Sequence, residues 1–272
     1  MAAGRRPASS REEPQELTVQ TWMQSTRSYL PIAAILIALL IVTGCTQSRD
    51  AVPLGGSLSV LGPDQSMVEA VSRGTLPPGW EISGEMPAAA ISVRRIENYN
   101  ALALKAGAAP YAVLRHTQAS LLATPYLSWA WHTPSVPNGA HPVRIIVGLV
   151  AHGVETKRAW WQVGGGDESI RVIQVVWQAT ALGRGTVVGP RRQEGRPESA
   201  RYIARGGPEQ ANRWWFDTVD LSLIHRQVWP GDDQSRVDIR YIGIAVQAAA
   251  PQRKGSTTEA HSMNVTAMRL MR

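Results

Sequence analysis

Six tryptophans stand in close pairs: Trp129/Trp131, Trp160/Trp161 and Trp214/Trp215. An indole is a broad apolar ring with a single N–H donor. Exposed, it can stack on the apolar C–H face of a sugar; buried, it fills a core. Spacing separates the two uses, because residues two apart on a strand share a face and adjacent residues oppose one another. Trp129 and Trp131 therefore point together, and in an otherwise apolar strand they point into the core. The adjacent pairs send at most one ring each inward. Trp160, Trp161, Trp214 and Trp215 are accordingly the candidate ligand-binding residues.

Other reactive side chains form weaker patterns. Residues 179–212 carry Arg184, Arg191, Arg192, Arg196, Arg201 and Arg205 among many Gly and Pro. They read as one long basic loop, a candidate docking site for anionic lipid, acidic glycan or a protein partner. Asp232-Asp233 follows Pro230-Gly231 and reads as a solvated turn. The histidines form no HExxH or HxH pattern, so no metal site is expected. Gly164-Gly165-Gly166 lacks the Lys-Ser/Thr of a phosphate-binding loop and reads as a hairpin turn. There is no GxSxG elbow and only one cysteine. Nothing points to a serine or cysteine hydrolase, to a cofactor or to any catalytic residue.

That cysteine has a special setting. Leu30 to Val42 is an uncharged apolar run, preceded by Arg27 and ending in Val42-Thr43-Gly44-Cys45. The run is short for a membrane span and suits the apolar core of a signal peptide. The final four residues resemble the bacterial lipobox. The resemblance implies that the Cys45 thiol receives a diacylglyceryl group, that residues 1–44 are removed, and that the new amine is acylated, with palmitate as a usual chain. Several acyl chains hold a protein to a bilayer far more firmly than one. Met23 would open a leader of ordinary length. Thr46, where an Asp would favour the inner membrane, implies delivery to the outer membrane facing the periplasm.

Positioning these residues requires a β-rich body. The chain has 272 residues, a net charge of +7, ten tryptophans and one phenylalanine. It is long enough to bury a core without disulfides. A basic surface suits anionic lipid, acidic polysaccharide or nucleic acid; in the inferred compartment nucleic acid drops out. Residues 45–76, with Pro53, Gly55, Gly56, Gly62 and Pro63, read as a lipidated flexible tether. From 77 to 272 short apolar runs alternate with Gly, Pro and Asn. Strands are expected over 91–95, 101–105, 111–117, 126–133, 143–151, 170–178, 214–220, 237–247 and 265–271, with a short helix over 221–229. The pattern predicts an all-β, two-layer antiparallel sandwich.

The same segments resemble the DUF3047 family of bacterial proteins. Gly79-Trp80 matches its start, Tyr111–Arg115 its "vlra" strand and Tyr126–Trp131 its "LsWrW" strand. Arg144–Val147 matches its central strand, Trp214–Asp220 its "W..e..D" segment and Tyr241–Val246 its "I.gIai" strand. The resemblance spans roughly residues 78–271 and implies a jelly roll similar to carbohydrate-binding modules, with no assigned activity. Two departures stand out: His141-Pro142 replaces an acidic pair, and Gln247–Pro251 replaces a "tDtDnT" stretch. The expectation is a membrane-anchored, non-enzymatic lipoprotein that binds an envelope glycan. Docking of an envelope protein through 179–212 and hydrolysis of an envelope polymer stay open as alternatives. Metabolic labelling with a palmitate analogue should mark the wild-type protein in bacterial cells, and Cys45→Ser should abolish the label; a labelled Cys45→Ser protein would exclude anchoring at Cys45.

Overall fold

The computed structural model describes residues 50–51, 56–62, 70–71, 73, 75–87, 89–134, 139–152, 169–193, 197–249 and 262–272. Alternating apolar residues form β1 (Asp50–Ala51), β2 (Ser57–Leu61), β3 (Trp80–Gly84), β4 (Ile91–Ile96), β5 (Tyr99–Lys105), β6 (Tyr111–Ser120) and β7 (Tyr126–His132). They continue as β8 (Val143–Ala151), β9 (Ser169–Gln178), β10 (Val187–Arg191), β11 (Glu198–Gly206), β12 (Trp215–Asp220), β13 (Val237–Val246) and β14 (Ser262–Met271). The helix α1 (Leu221–Val228) joins β12 to the turn before β13. Its buried residues Leu221, Ile224, His225 and Val228 follow the i, i+3, i+4, i+7 spacing of one helix face. Asp220 caps it by accepting from the Leu223 amide at 2.9 Å.

The strands form an all-β sandwich of two sheets. The larger runs β1-β6-β13-β8-β9-β11-β10, with β3 also on β6; the smaller runs β12-β7-β14-β5-β4, with β2 also on β14. Every pairing is antiparallel except β1 with β6 and β9 with β11. A parallel pair needs a crossover of a dozen or more residues. Residues 179–197 are that crossover, and they fold β10 against β11 on the way back. The strand β8 lies between β13 and β9, which explains its nearly continuous apolar run. At Gly148 a Cβ would lie 2.2 Å from the Tyr241 ring, so only glycine lets that ring cross β8.

Two expectations are corrected here. Residues 45–76 are not tether throughout, because β2 pairs with β14 and buries Leu58, Val60 and Leu61. Arg115, from β6 of the larger sheet, donates to the carbonyl oxygens of Ser59 and of Val60, the latter at 2.8 Å. Residues 179–212 are not one long loop, because β10 and β11 lie inside them.

One hydrophobic core lies between the sheets and draws on both. Trp129 and Trp131 are both buried and meet edge to face at 5.4 Å. Trp131 then meets Trp177 of the opposite sheet at 5.5 Å. The Trp131 N–H is satisfied by Asp217 Oδ2 at 3.0 Å. Asp217, on β12, also accepts from Arg205 on β11, with Nη2 2.6 Å and Nε 2.9 Å away. This fork joins an edge strand of the smaller sheet to the larger sheet and is almost wholly buried. Removing one partner of a buried ion pair costs about 3–5 kcal/mol. Urea denaturation should therefore show Arg205→Ala destabilised by that amount, whereas the exposed Arg184→Ala should change stability by no more than about 0.5 kcal/mol. Equal effects of the two would refute the locking role of Arg205.

Candidate functional site

Cross-strand partners share a face, and this separates Trp214 from Trp215. In β12, Trp215 pairs with Trp131 and faces inward, while Phe216 pairs with Ala130 and faces outward. Trp214 precedes the strand and joins Phe216 on the outer side. There Tyr99, from the start of β5, lies 5.3 Å from Trp214 and 5.6 Å from Phe216 between ring centroids. Tyr99 reaches them because the Thr266 hydroxyl on β14 donates to the Asn100 carbonyl at 2.8 Å. Phe216 is 58% exposed and Tyr99 40%. Tyr99 lies between the other two rings; Trp214 is half-buried, and its Nε1–H is shielded from water without an acceptor.

The floor beside these rings is small and polar. Ala130 pairs with Thr266, and Asn264 pairs with both Ala103 and His132. His132 lies 5.5 Å from the Trp214 ring, and its carbonyl accepts from Asn264 Nδ2 at 3.2 Å. Burial holds the His132 imidazole below its usual range, with Glu97 partly opposing the shift. The arrangement sets the exposed Tyr99 and Phe216 rings beside the half-buried Trp214 indole, with a neutral imidazole beneath.

The expected site residues scatter. Trp215 is no platform, because the Arg205 and Arg213 guanidiniums stand 3.7 and 4.5 Å from its ring and its N–H donates to the Gln210 carbonyl at 2.7 Å. Trp160, Trp161, Arg196 and Cys45 lie outside the described residues. Among the described residues, the arginines of the expected basic docking loop divide between different settings. Arg205 points inward onto Asp217; Arg192 pairs with Glu198 at 2.6 Å; Arg184 is exposed beside a short turn. Arg191 and Arg201 belong to the outer face of the larger sheet. Tyr99 and Phe216 were not singled out by sequence; their outward faces depend on pairings between distant segments.

Asp232 is likewise not in a solvated turn. Its carboxylate is buried, with Oδ2 3.1 Å from Arg171 Nε and 3.3 Å from His225 Nε2. The His225 contact is close in distance but not aligned as a hydrogen bond. Arg171 also donates to Glu198, which accepts from Trp229 Nε1 at 2.9 Å. Asp233, by contrast, is exposed and caps the following turn by accepting from the Ser235 amide at 3.0 Å. Glu198 and Asp232 are thus two carboxylates on one guanidinium, packed away from solvent. They do not face each other across an open cleft as a hydrolase pair must.

No family model matches the chain, and no curated protein matches it. Several solved structures align with the chain at low identity and low TM-score. The family 11 carbohydrate-binding module of the cellulase Lic26A-Cel5E of Clostridium thermocellum is 9% identical with a TM-score of 0.38, covering 80% of this chain and 96% of that one. The mannan-recognising module TmCBM27 is 13% identical with a TM-score of 0.32, covering 79% and 95%. A family 12 xyloglucanase from Bacillus licheniformis is 9% identical with a TM-score of 0.36, covering 83% and 96%. Function is therefore argued from this chain's own side chains.

The buried imidazoles give the fold a pH dependence. Burial lowers the His225 pKa below the usual 6.5, Asp232 opposes that shift and Arg171 adds to it. A histidine kept neutral in the folded state takes up its proton more readily when unfolded. Its stabilising contribution is complete above about pH 6.5 and is lost as pH falls below that value towards the folded pKa. Melting temperature should fall between about pH 6.5 and 5, and His225→Asn should flatten the slope. A wild-type melting temperature constant across that window would contradict a neutral, buried His225.

Proposed function

We propose that this protein is a lipid-anchored, periplasm-facing lipoprotein of the DUF3047 type whose sandwich binds an envelope glycan without catalysis. The observation that carries the binding reading is the outward cluster of Tyr99, Trp214 and Phe216. Large apolar side chains exposed side by side are unusual unless something covers them. A sugar ring suits this cluster, because its apolar C–H face matches the exposed Tyr99 and Phe216 rings. The anchored location rests on the Cys45 motif.

Affinity electrophoresis of the mature protein through gels containing a neutral β-glucan, a mannan or solubilised peptidoglycan tests the reading. At least one polymer should retard the wild type. Tyr99→Ala and Phe216→Ala should each weaken that retardation about tenfold, since an aromatic contact contributes about 0.5–1.5 kcal/mol beyond area burial. Both variants should keep the wild-type circular dichroism spectrum. Binding unchanged in both variants, or no retardation by any of the three polymers, would defeat the glycan reading.

A further inference from the structure

The outer face of the larger sheet carries charge that the fold does not neutralise. Arg144 on β8 donates from Nη1 to Gln174 Oε1 on β9 at 2.7 Å. Gln174 is the register partner of Arg201 on β11, and β10 sets Arg191 opposite Ser199, two residues from Arg201 and on the same face. Three guanidiniums thus share one side of four adjacent strands. Burial and then Arg201 lower the Arg144 pKa, while burial and then Arg191 lower that of Arg201. The row is close enough for its members to repel one another.

Three arginines of the fold are held in ion pairs. Arg171 binds Glu198 and Asp232, Arg192 binds Glu198, and Arg205 binds Asp217. Among the described residues no carboxylate pairs with Arg144, Arg191 or Arg201. The Nε–H groups of Arg144 and Arg201 are shielded from water and have no acceptor. A partly buried, unpaired charge costs stability, and a like charge beside it adds to the cost. An oxyanion reached by the remaining Nη donors would offset the charge, because charge-assisted hydrogen bonds from a guanidinium to a carboxylate or sulfate are strong. Beside the row the sheet surface is low: Ala245 pairs with Arg144 on one side and with Ala112 on the other.

We propose that this face binds an acidic polysaccharide, with its carboxylate or sulfate groups held by Arg144 and Arg201. Gln174, the register partner of Arg201, pairs with Ile146, two residues from Arg144, so the two arginines are offset by two strand spacings of about 4.8 Å each across the sheet and by two residues along it. A linear polymer with acid groups repeated along its length fits the row by charge. The site is on the opposite sheet from Tyr99 and Phe216, so it stands or falls separately from the aromatic site.

Titration calorimetry with polygalacturonate and dextran sulfate, with neutral dextran as control, tests it. An acidic polymer should bind the wild type, more weakly as salt is raised, and neutral dextran should not. Arg144→Gln and Arg201→Gln should each weaken binding about tenfold, while Arg184→Gln and Tyr99→Ala leave it unchanged. Both Gln variants should melt at or above the wild-type temperature, since each removes unneutralised charge. The proposal is overturned if neither acidic polymer binds, or if Arg184→Gln costs as much as Arg201→Gln, the sign of diffuse net charge. It is also overturned if both Gln variants melt lower, marking the row as structural, or if phosphatidylglycerol vesicles bind more tightly than either polymer.

Discussion

The Arg205 guanidinium between Asp217 and the Trp215 ring is the contact on which the sandwich depends. Two sheets that share an apolar core can slide over one another, because burial is not directional. A buried ion pair is directional: it forms only when β11 of one sheet stands beside β12 of the other. Asp217 also accepts the Trp131 N–H, which orients the indole that meets Trp177 across the core. One carboxylate therefore sets both the relation of the sheets and the packing of the largest core residues. Because Trp215 is held inward by the same guanidinium, Phe216 must face outward, and the aromatic surface follows from the lock.

A second ionic centre works in the same way at another part of the core. Arg171 gathers Glu198 and Asp232 beneath α1, with His225 and Trp229 around them. Burying a guanidinium is tolerable when its donors are filled, and these are. Arg144, Arg191 and Arg201 instead share one outer face of the larger sheet, with no carboxylate partner among the described residues.

Much of the architecture was legible because it depends on local alternation. The strand β8 has the expected bounds, the Trp129/Trp131 face was correctly placed in the core, and α1 lies where its apolar spacing put it. The strands β2, β10 and β11 were hidden for a common reason. Each is flanked by Gly and Pro, which read as loop, while its stability comes from a distant partner: β14 for β2, and β9 for β11. Asp232 was misread as solvated for the same reason, since its turn context is local and Arg171 is far away in sequence.

By itself the sequence determined which residues share a face: Trp129 with Trp131, and Trp214 opposed to Trp215. It also marked Cys45 as the residue with the chemistry of an anchor. Only the tertiary structure decided which face is the core and which strands are neighbours. A register shift between Ile203 and Arg205 sends Arg205 inward and Arg201 outward although they stand an even number apart on β11, and sheet order brought Tyr99 to Phe216 from distant segments of the chain. The physical reason is that a period of two fixes relative orientation along one strand, whereas sheet order is set by burial and pairing summed over the whole fold.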